Sequence, residues 1–145
     1  MATVQDLLDR KGADIVSIGS SATVVEAARL MNARGVGGLV VVDAPGQLLG
    51  IFTERDILRR VVAPGLDAAK VRIAEVLTTK VITCLPGTSV EECGAIMSSR
   101  RIRHLPVADD SGLKGLVTSG DVLAYRVAES EATIEYMNAY MFDIR

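Results

Sequence analysis

Tryptophan is absent from this 145-residue chain, histidine occurs once and cysteine twice. A lone His104 cannot assemble the His/Cys cluster that a transition metal requires. Cys84 and Cys93 have no CxxC partner, so two buried free thiols in a reducing compartment are expected. No nucleophile has a visible general base, and one imidazole restricts acid–base chemistry, which points away from an enzyme. Asp56 and Asp121 lack the Asp-Thr/Ser-Gly turn of an aspartic protease. An excess of positive charge is also missing. Sixteen Lys and Arg face 18 Asp and Glu, a formal net charge of -2, and no basic run is interleaved with aromatics. A nucleic-acid surface is therefore not expected. The longest aliphatic run, Val36 to Val42, contains Gly37 and Gly38 and is far too short to span a bilayer. The first fourteen residues carry Asp6, Asp9, Arg10 and Lys11 with no apolar stretch, unlike a signal peptide. A soluble cytoplasmic protein is expected.

What is present is apolar: 49% of residues are hydrophobic and 23% charged, enough for one compact domain or two very small ones sharing a core. The chain repeats itself. At an offset of 66 residues Val24 meets Val90, Glu26 meets Glu92, Met31 meets Met97, Leu39 meets Leu105 and Asp43 meets Asp109. Past Gly46 and Gly112 the offset falls to 65, pairing Gly50 with Gly115, Thr53 with Thr118 and Asp56 with Asp121. A one-residue deletion at a hairpin turn is what loop tolerance permits. Two copies are too few for a solenoid, so a pseudo-two-fold pair is expected.

Each copy reads alike. A short helix comes first (Val4, Leu7, Leu8; then Ile73, Val76, Leu77), followed by a short strand, Ile15–Ile18 or Val81–Cys84. An amphipathic helix follows, started by Thr23 with Glu26 or by Ser89 with Glu92. Two strands then form a hairpin, Leu39–Asp43 with Leu48–Thr53 and Leu105–Asp109 with Leu113–Thr118. A closing helix starts at Glu54 or Ser119. The divisions expected are repeat one over 1–62, a linker over 63–71, repeat two over 72–127 and a helical extension over 128–145. Neither copy is large enough to bury its own sheet well, so face-to-face packing is expected.

Two features carry chemistry. Both hairpins end in Gly, two apolar residues, Thr, two variable residues and Asp: Gly50 to Asp56 and Gly115 to Asp121. Thr-x-x-Asp is a helix cap. It also brings a hydroxyl, backbone N–H groups and a carboxylate together where a polar ligand could dock. Both readings hold together, because the cap fixes the Asp rotamer. The second feature is Arg100-Arg101-Ile102-Arg103-His104-Leu105-Pro106-Val107, which is either a solvated basic helix end or an anion contact. Pro106 limits strand pairing and is expected to leave an edge beside open space.

The duplicated Gly-h-h-Thr-x-x-Asp motif, Ile-Arg-His-Leu-Pro-Val and the β-α-β-β-α order together resemble the cystathionine β-synthase (CBS) domain pair, or Bateman module, from Val4 to about Val127. The resemblance implies an α/β (α+β) fold of two tandem repeats, here with a C-terminal helical extension, acting as a regulatory module rather than an enzyme. It implies an adenosine-containing ligand between the copies: AMP first, then ATP, NAD(H) or S-adenosylmethionine, with cyclic dinucleotides also bound in the family. It also implies a crossed site. Cleft one takes Thr53, Arg55 and Asp56 with Lys80, Val81, Ile102, Arg103, His104 and Pro106. Cleft two takes Thr118, Ser119 and Asp121 with Ile15, Val36, Gly37 and Gly38. Because Val36-Gly37-Gly38 replaces Ile102-Arg103-His104 and Val40 replaces Pro106, cleft two lacks phosphate ligands and cleft one is the expected site.

The other reading is a module of the same fold whose clefts stay empty and which serves dimerisation or docking. Four of the aromatics, Tyr125, Tyr136, Tyr140 and Phe142, lie with Met137 and Met141 beyond the second motif. They suggest a homodimer contact through the closing and C-terminal helices, or a surface for a regulated partner protein.

Overall fold

The computed structural model describes residues 1–12 and 14–143, with side chains described through residue 139. The crowded residues Tyr140, Met141 and Phe142 lie outside the described side chains.

Helix starts follow the capping chemistry. α1 (Val4–Lys11) begins at Thr3, whose hydroxyl accepts from the Asp6 N–H while the Asp6 carboxylate accepts from the Thr3 N–H. α2 (Val24–Arg34) repeats this with Thr23 and Glu26. α5 (Val90–Arg100) starts at Ser89, which accepts from the Glu92 N–H at 3.0 Å. The buried row Val24, Ala27, Met31 of α2 recurs in α5 as Val90, Cys93, Met97.

The first sheet has the order β1-β2-β3, with β1 (Ser17–Gly19) parallel to β2 (Gly38–Val42), and β3 (Leu48–Thr53) antiparallel to β2. The second is the hairpin of β4 (His104–Asp109) and β5 (Gly112–Thr118). Here the structure corrects the sequence: the strand expected at Val81–Cys84 shrinks to a single bridge between Cys84 and Val107. The cause is Pro106. In the first copy the Val40 N–H donates to the Val16 carbonyl and extends the ladder. Pro106 occupies the position of Val40 and has no N–H to offer Ile82, so the ladder stops. Pro106 does not face open space either. It is buried, and its carbonyl accepts from the Cys84 N–H at 3.0 Å.

The closing segments differ between copies. After Thr53 one helical turn (α3, Glu54–Asp56) widens into π-type turns over Ile57–Val62, where the Ala63 N–H reaches the Leu58 carbonyl. After Thr118 a single helix, α6 (Ser119–Asp143), runs for 25 residues.

The cores show how the copies join. Val4, Leu7 and Leu8 of α1 pack with Val90, Cys93, Met97, Leu105, Val107 and Val117, all from the second repeat. α4 (Ile73–Val76) and Leu77 pack with Val24, Met31, Leu39, Val41 and Phe52 of the first. The leading helices are exchanged, and bridges between Thr3 and Ser89 and between Thr23 and Arg72 seal the exchange. Two cores form, each closed by the other copy's helix, in place of the expected packing of one sheet face on the other. The motif glycines make this possible. A Cβ on Gly115 would lie 2.7 Å from the Leu8 side chain, and one on Gly50 would lie 2.4 Å from the Thr78 carbonyl oxygen. Gly50 is therefore needed for the close approach of the backbone that follows α4, and a side chain at Gly115 would displace Leu8.

Candidate functional site

A cleft of about 400 Å³ opens between the copies, lined on one side by Thr53, Arg55, Asp56 and Thr78 and on the other by Ile102, Arg103 and His104. Asp56 is the one buried charged residue among those described, 8% exposed. Its Oδ2 accepts from the Thr53 N–H at 3.0 Å and from the Thr53 hydroxyl at 3.4 Å. Its Oδ1 accepts from the Thr78 hydroxyl at 3.3 Å and lies 3.6 Å from Arg60 Nε. An ionised carboxylate has about four lone-pair positions, so Oδ1 keeps capacity for a further donor from the cleft.

The opposite wall is set by a backbone irregularity. α2 ends at Gly35 in the left-handed region (φ 65°), and α5 ends in the same conformation at Arg101 (φ 55°). A side chain there costs roughly 1–2 kcal/mol relative to the right-handed form. Arg101 directs its carbonyl to Arg55, whose Nη1 donates to it at 3.0 Å across the cleft. His104 presses on the first copy: a Cβ on Gly38 would sit 2.9 Å from the imidazole, so a side chain there would require His104 to move. Burial lowers the His104 pKa below its ordinary 6.5, helped by Arg103 and Lys11 and opposed by Glu54 and Asp121. His104 is therefore neutral at pH 7, and the cationic character of this wall comes from its arginines.

A pH dependence follows from that burial. The unfolded chain takes up a proton near pH 6.5, while the folded chain resists it until lower pH. Stability from neutral His104 is complete above 6.5 and is lost as the pH falls through that value toward the depressed folded pKa. Thermal melts of the wild type should show this loss between pH 7 and 5, and His104→Gln should flatten it. An unchanged slope in the variant would assign the dependence to other groups.

The structure brings together six of the nine residues assigned to cleft one: Thr53, Arg55, Asp56, Ile102, Arg103 and His104. Lys80 is exposed, Val81 half-buried and Pro106 buried, and none of the three lines the cavity. Thr78 stands where Lys80 and Val81 were placed, and Arg60 and Arg59 join from the closing turns. Thr78 could have been found as the hydroxyl next to the last apolar residue of the α4 pattern.

Cleft two is not assembled in the same way. Lys11 Nζ donates to Asp121 Oδ2 at 2.5 Å and to the Leu116 carbonyl at 2.8 Å, so a lysine occupies the carboxylate. Thr118 and Asp121 cap each other, the Thr118 N–H donating at 2.8 Å and the Asp121 N–H at 3.1 Å. Glu54 lies against Gly37 and His104 against Gly38, filling the space that their missing side chains leave. Ile15 and Val36 are half-buried, Val36 against the first core, and Ser119 faces a groove on the other side. Cys84 and Cys93 are both buried and free, as expected. Their mutual hydrogen bond, with burial, pushes the Cys84 thiol up.

Two copies of one α/β unit agree with comparison to known proteins. The CBS domain model matches residues 4–63 and again 73–128. The chain belongs to the CBS domain family. A mitochondrial CBS domain-containing protein of Arabidopsis thaliana, CBSX3, is 35% identical over 96% of this chain and 71% of its own length. The CBS domain-containing protein YhcV of Bacillus subtilis is 32% identical over 91% of each chain. Among solved structures, a CBS-domain containing protein of Agrobacterium tumefaciens superposes with a TM-score of 0.82 at 39% identity, covering 87% of this chain and 95% of that one. A CBS-domain protein of Burkholderia ambifaria gives 0.84 at 38% identity, covering 88% and 95%. This CBS pair is thus a two-repeat member of a family of regulatory modules. No helix among its described residues is long and apolar enough to cross a membrane.

Proposed function

We propose that this CBS pair is a non-catalytic regulatory module that binds a phosphorylated adenosine ligand in the cleft between its repeats. The observation that carries the reading is Asp56: a buried carboxylate pinned by Thr53 and Thr78 on the floor of a cavity whose far wall is arginine-rich. A ribose diol can donate to Oδ1, as diols do to an acidic residue in dinucleotide sites, while the arginines meet phosphate. Buried apolar walls with a few convergent polar groups are the usual form of a small-molecule site. A thermal-shift panel of AMP, ADP, ATP, NAD(H) and S-adenosylmethionine tests it. At a hundredfold excess over Kd, linkage raises stability by about 2.7 kcal/mol. In a chain of this size that is roughly 6–10 °C. No shift by any of them at millimolar concentration would leave the clefts empty and favour a pure interaction module.

The module is further proposed to form homodimers through its closing helices. Leu58 and Val62 are exposed on the first closing segment, and their repeat equivalents Leu123 and Val127 are exposed on α6. Ile134 and Met137 continue the same stripe two turns further on, at spacings of seven and three residues, on a stretch of helix exposed on every side. A two-fold-related surface of this kind is self-complementary in a dimer. One solved relative, a CBS-CP12 protein of cyanobacteria, is hexameric. Sedimentation should give a dimer at micromolar concentration, and Leu58→Glu with Leu123→Glu should give monomers. A monomeric wild type would remove the dimer.

A further inference from the structure

A second cavity of about 470 Å³ adjoins the first, between α5 and α6, with Leu123 of the dimer stripe in its lining. Its lining includes four arginines, Arg55, Arg101, Arg103 and Arg126, and no carboxylate. The first three also line the ribose cleft, so the two cavities share a wall. Among the described residues the ion pairs are Lys11–Asp121 and Arg60–Asp56, and none of these four arginines takes part in one. Asp56 and Glu54 line the adjoining cleft, but the α5–α6 groove itself holds only the arginine charges, which gives it a positive potential. Two backbone features hold the arginines in place. Arg101 keeps its left-handed conformation where the first copy uses Gly35. Gly94 admits the Arg126 guanidinium, since a Cβ there would lie 2.6 Å from Arg126 Nη2.

We propose that the two cavities form one track, in which the α5–α6 groove receives the polyphosphate chain of a nucleotide whose ribose is held at Asp56. The ligand class is then a nucleoside triphosphate or longer polyphosphate rather than a monophosphate. Arg55 and Arg101 sit at the junction and meet the first phosphates, and Arg126 meets the far end. Planar guanidinium groups suit phosphate oxygens because they donate in pairs.

This inference rests on the adenosine reading above, and calorimetry on the intact chain can separate the two. The probes are AMP, ATP and inorganic tripolyphosphate, with wild type and Arg126→Gln. ATP is expected to bind at least about tenfold more tightly than AMP, the scale of one added charge-assisted contact. Tripolyphosphate is expected to bind alone and to compete with ATP. Arg126→Gln should weaken ATP and tripolyphosphate about tenfold and leave AMP unchanged. Equal affinities for AMP and ATP would overturn the track and leave the adenosine reading standing. So would a variant that weakens both nucleotides alike. Tripolyphosphate binding that needs Arg126, with no adenine nucleotide bound, would uphold the anion groove and overturn the adenosine site. Should Arg126→Gln fold poorly, Ser98→Glu places a carboxylate in the same groove from an exposed position and should give the same pattern.

Discussion

Leu8→Ala is expected to destabilise the protein by about 2–5 kcal/mol, the range for truncating a fully buried leucine. Leu8 is 2% exposed and seals a core whose buried members outside α1 all come from residues 84–122. The position of the damage is the informative part. Amides of β4 and β5 should lose hydrogen-exchange protection first, although Leu8 is about a hundred residues away from them in the chain, while β2 and β3 keep theirs longer. Collapse of the core around Leu8 is hindered because Gly115 lies directly beneath it and has no side chain to fill the gap. Protection lost first in β2 and β3 would mean that α1 serves its own repeat, contrary to the exchange.

That exchange was hidden from the sequence for a physical reason. An apolar i, i+3, i+4 pattern states that a helix buries a face but not against which core. Val4, Leu7 and Leu8 fit either copy equally well. A second clue was masked by an insertion. Leu8 on Gly115 and Leu77 on Gly50 are equivalent contacts, an offset of 69 between the leading helices, whereas the rest of the repeats align at 66 or 65. Three extra residues therefore precede β1 in the first copy, and a fixed offset of 66 does not see them. By contrast, the hairpins, the capping box of α2 and the Ser89 cap of α5 (where the reciprocal bond from Glu92 expected of a full box is not made) were legible, because turn residues and caps act within four residues of themselves.

The site divides along the same line. Thr53, Asp56, Arg103 and His104 were legible as local motifs that occur beside a strand end. Thr78 and Lys11 were not, since each acts on a carboxylate from a distant segment, whereas Arg60 lies only four residues beyond Asp56 and was within reach of a local reading. In the sequence Lys11 is only one of several charges in the first fourteen residues, and in the structure it decides the fate of Asp121. The two motifs, which share their Gly, Thr and Asp, thus meet different partners: the Thr78 hydroxyl and, at 3.6 Å, the Arg60 guanidinium at Asp56, and the Lys11 ammonium at Asp121.

This asymmetry yields the second large effect. Asp56→Ala is expected to weaken adenine-nucleotide binding ten- to a hundredfold, as loss of charge-assisted hydrogen bonds costs about 1.5–3 kcal/mol. Asp121→Ala is expected to change that affinity little, because its carboxylate already holds Lys11 and stands outside the cleft lining. Its effect should fall on stability, where Lys11 and the Thr118 N–H lose their acceptor. Asp56→Ala also removes the acceptor for Thr53, Thr78 and Arg60, so part of its loss could come from a loosened cleft. Asp56→Asn separates the two causes. It keeps the shape and one acceptor oxygen but drops the charge, so a melting temperature near wild type with weakened binding would place the effect on the ligand. Calorimetric titration of the three variants at a temperature well below their melting points is the measurement. Equal losses at the two aspartates, or a larger one at Asp121, would show that the ligand uses the cleft Lys11 closes, and the assignment to Asp56 would fall.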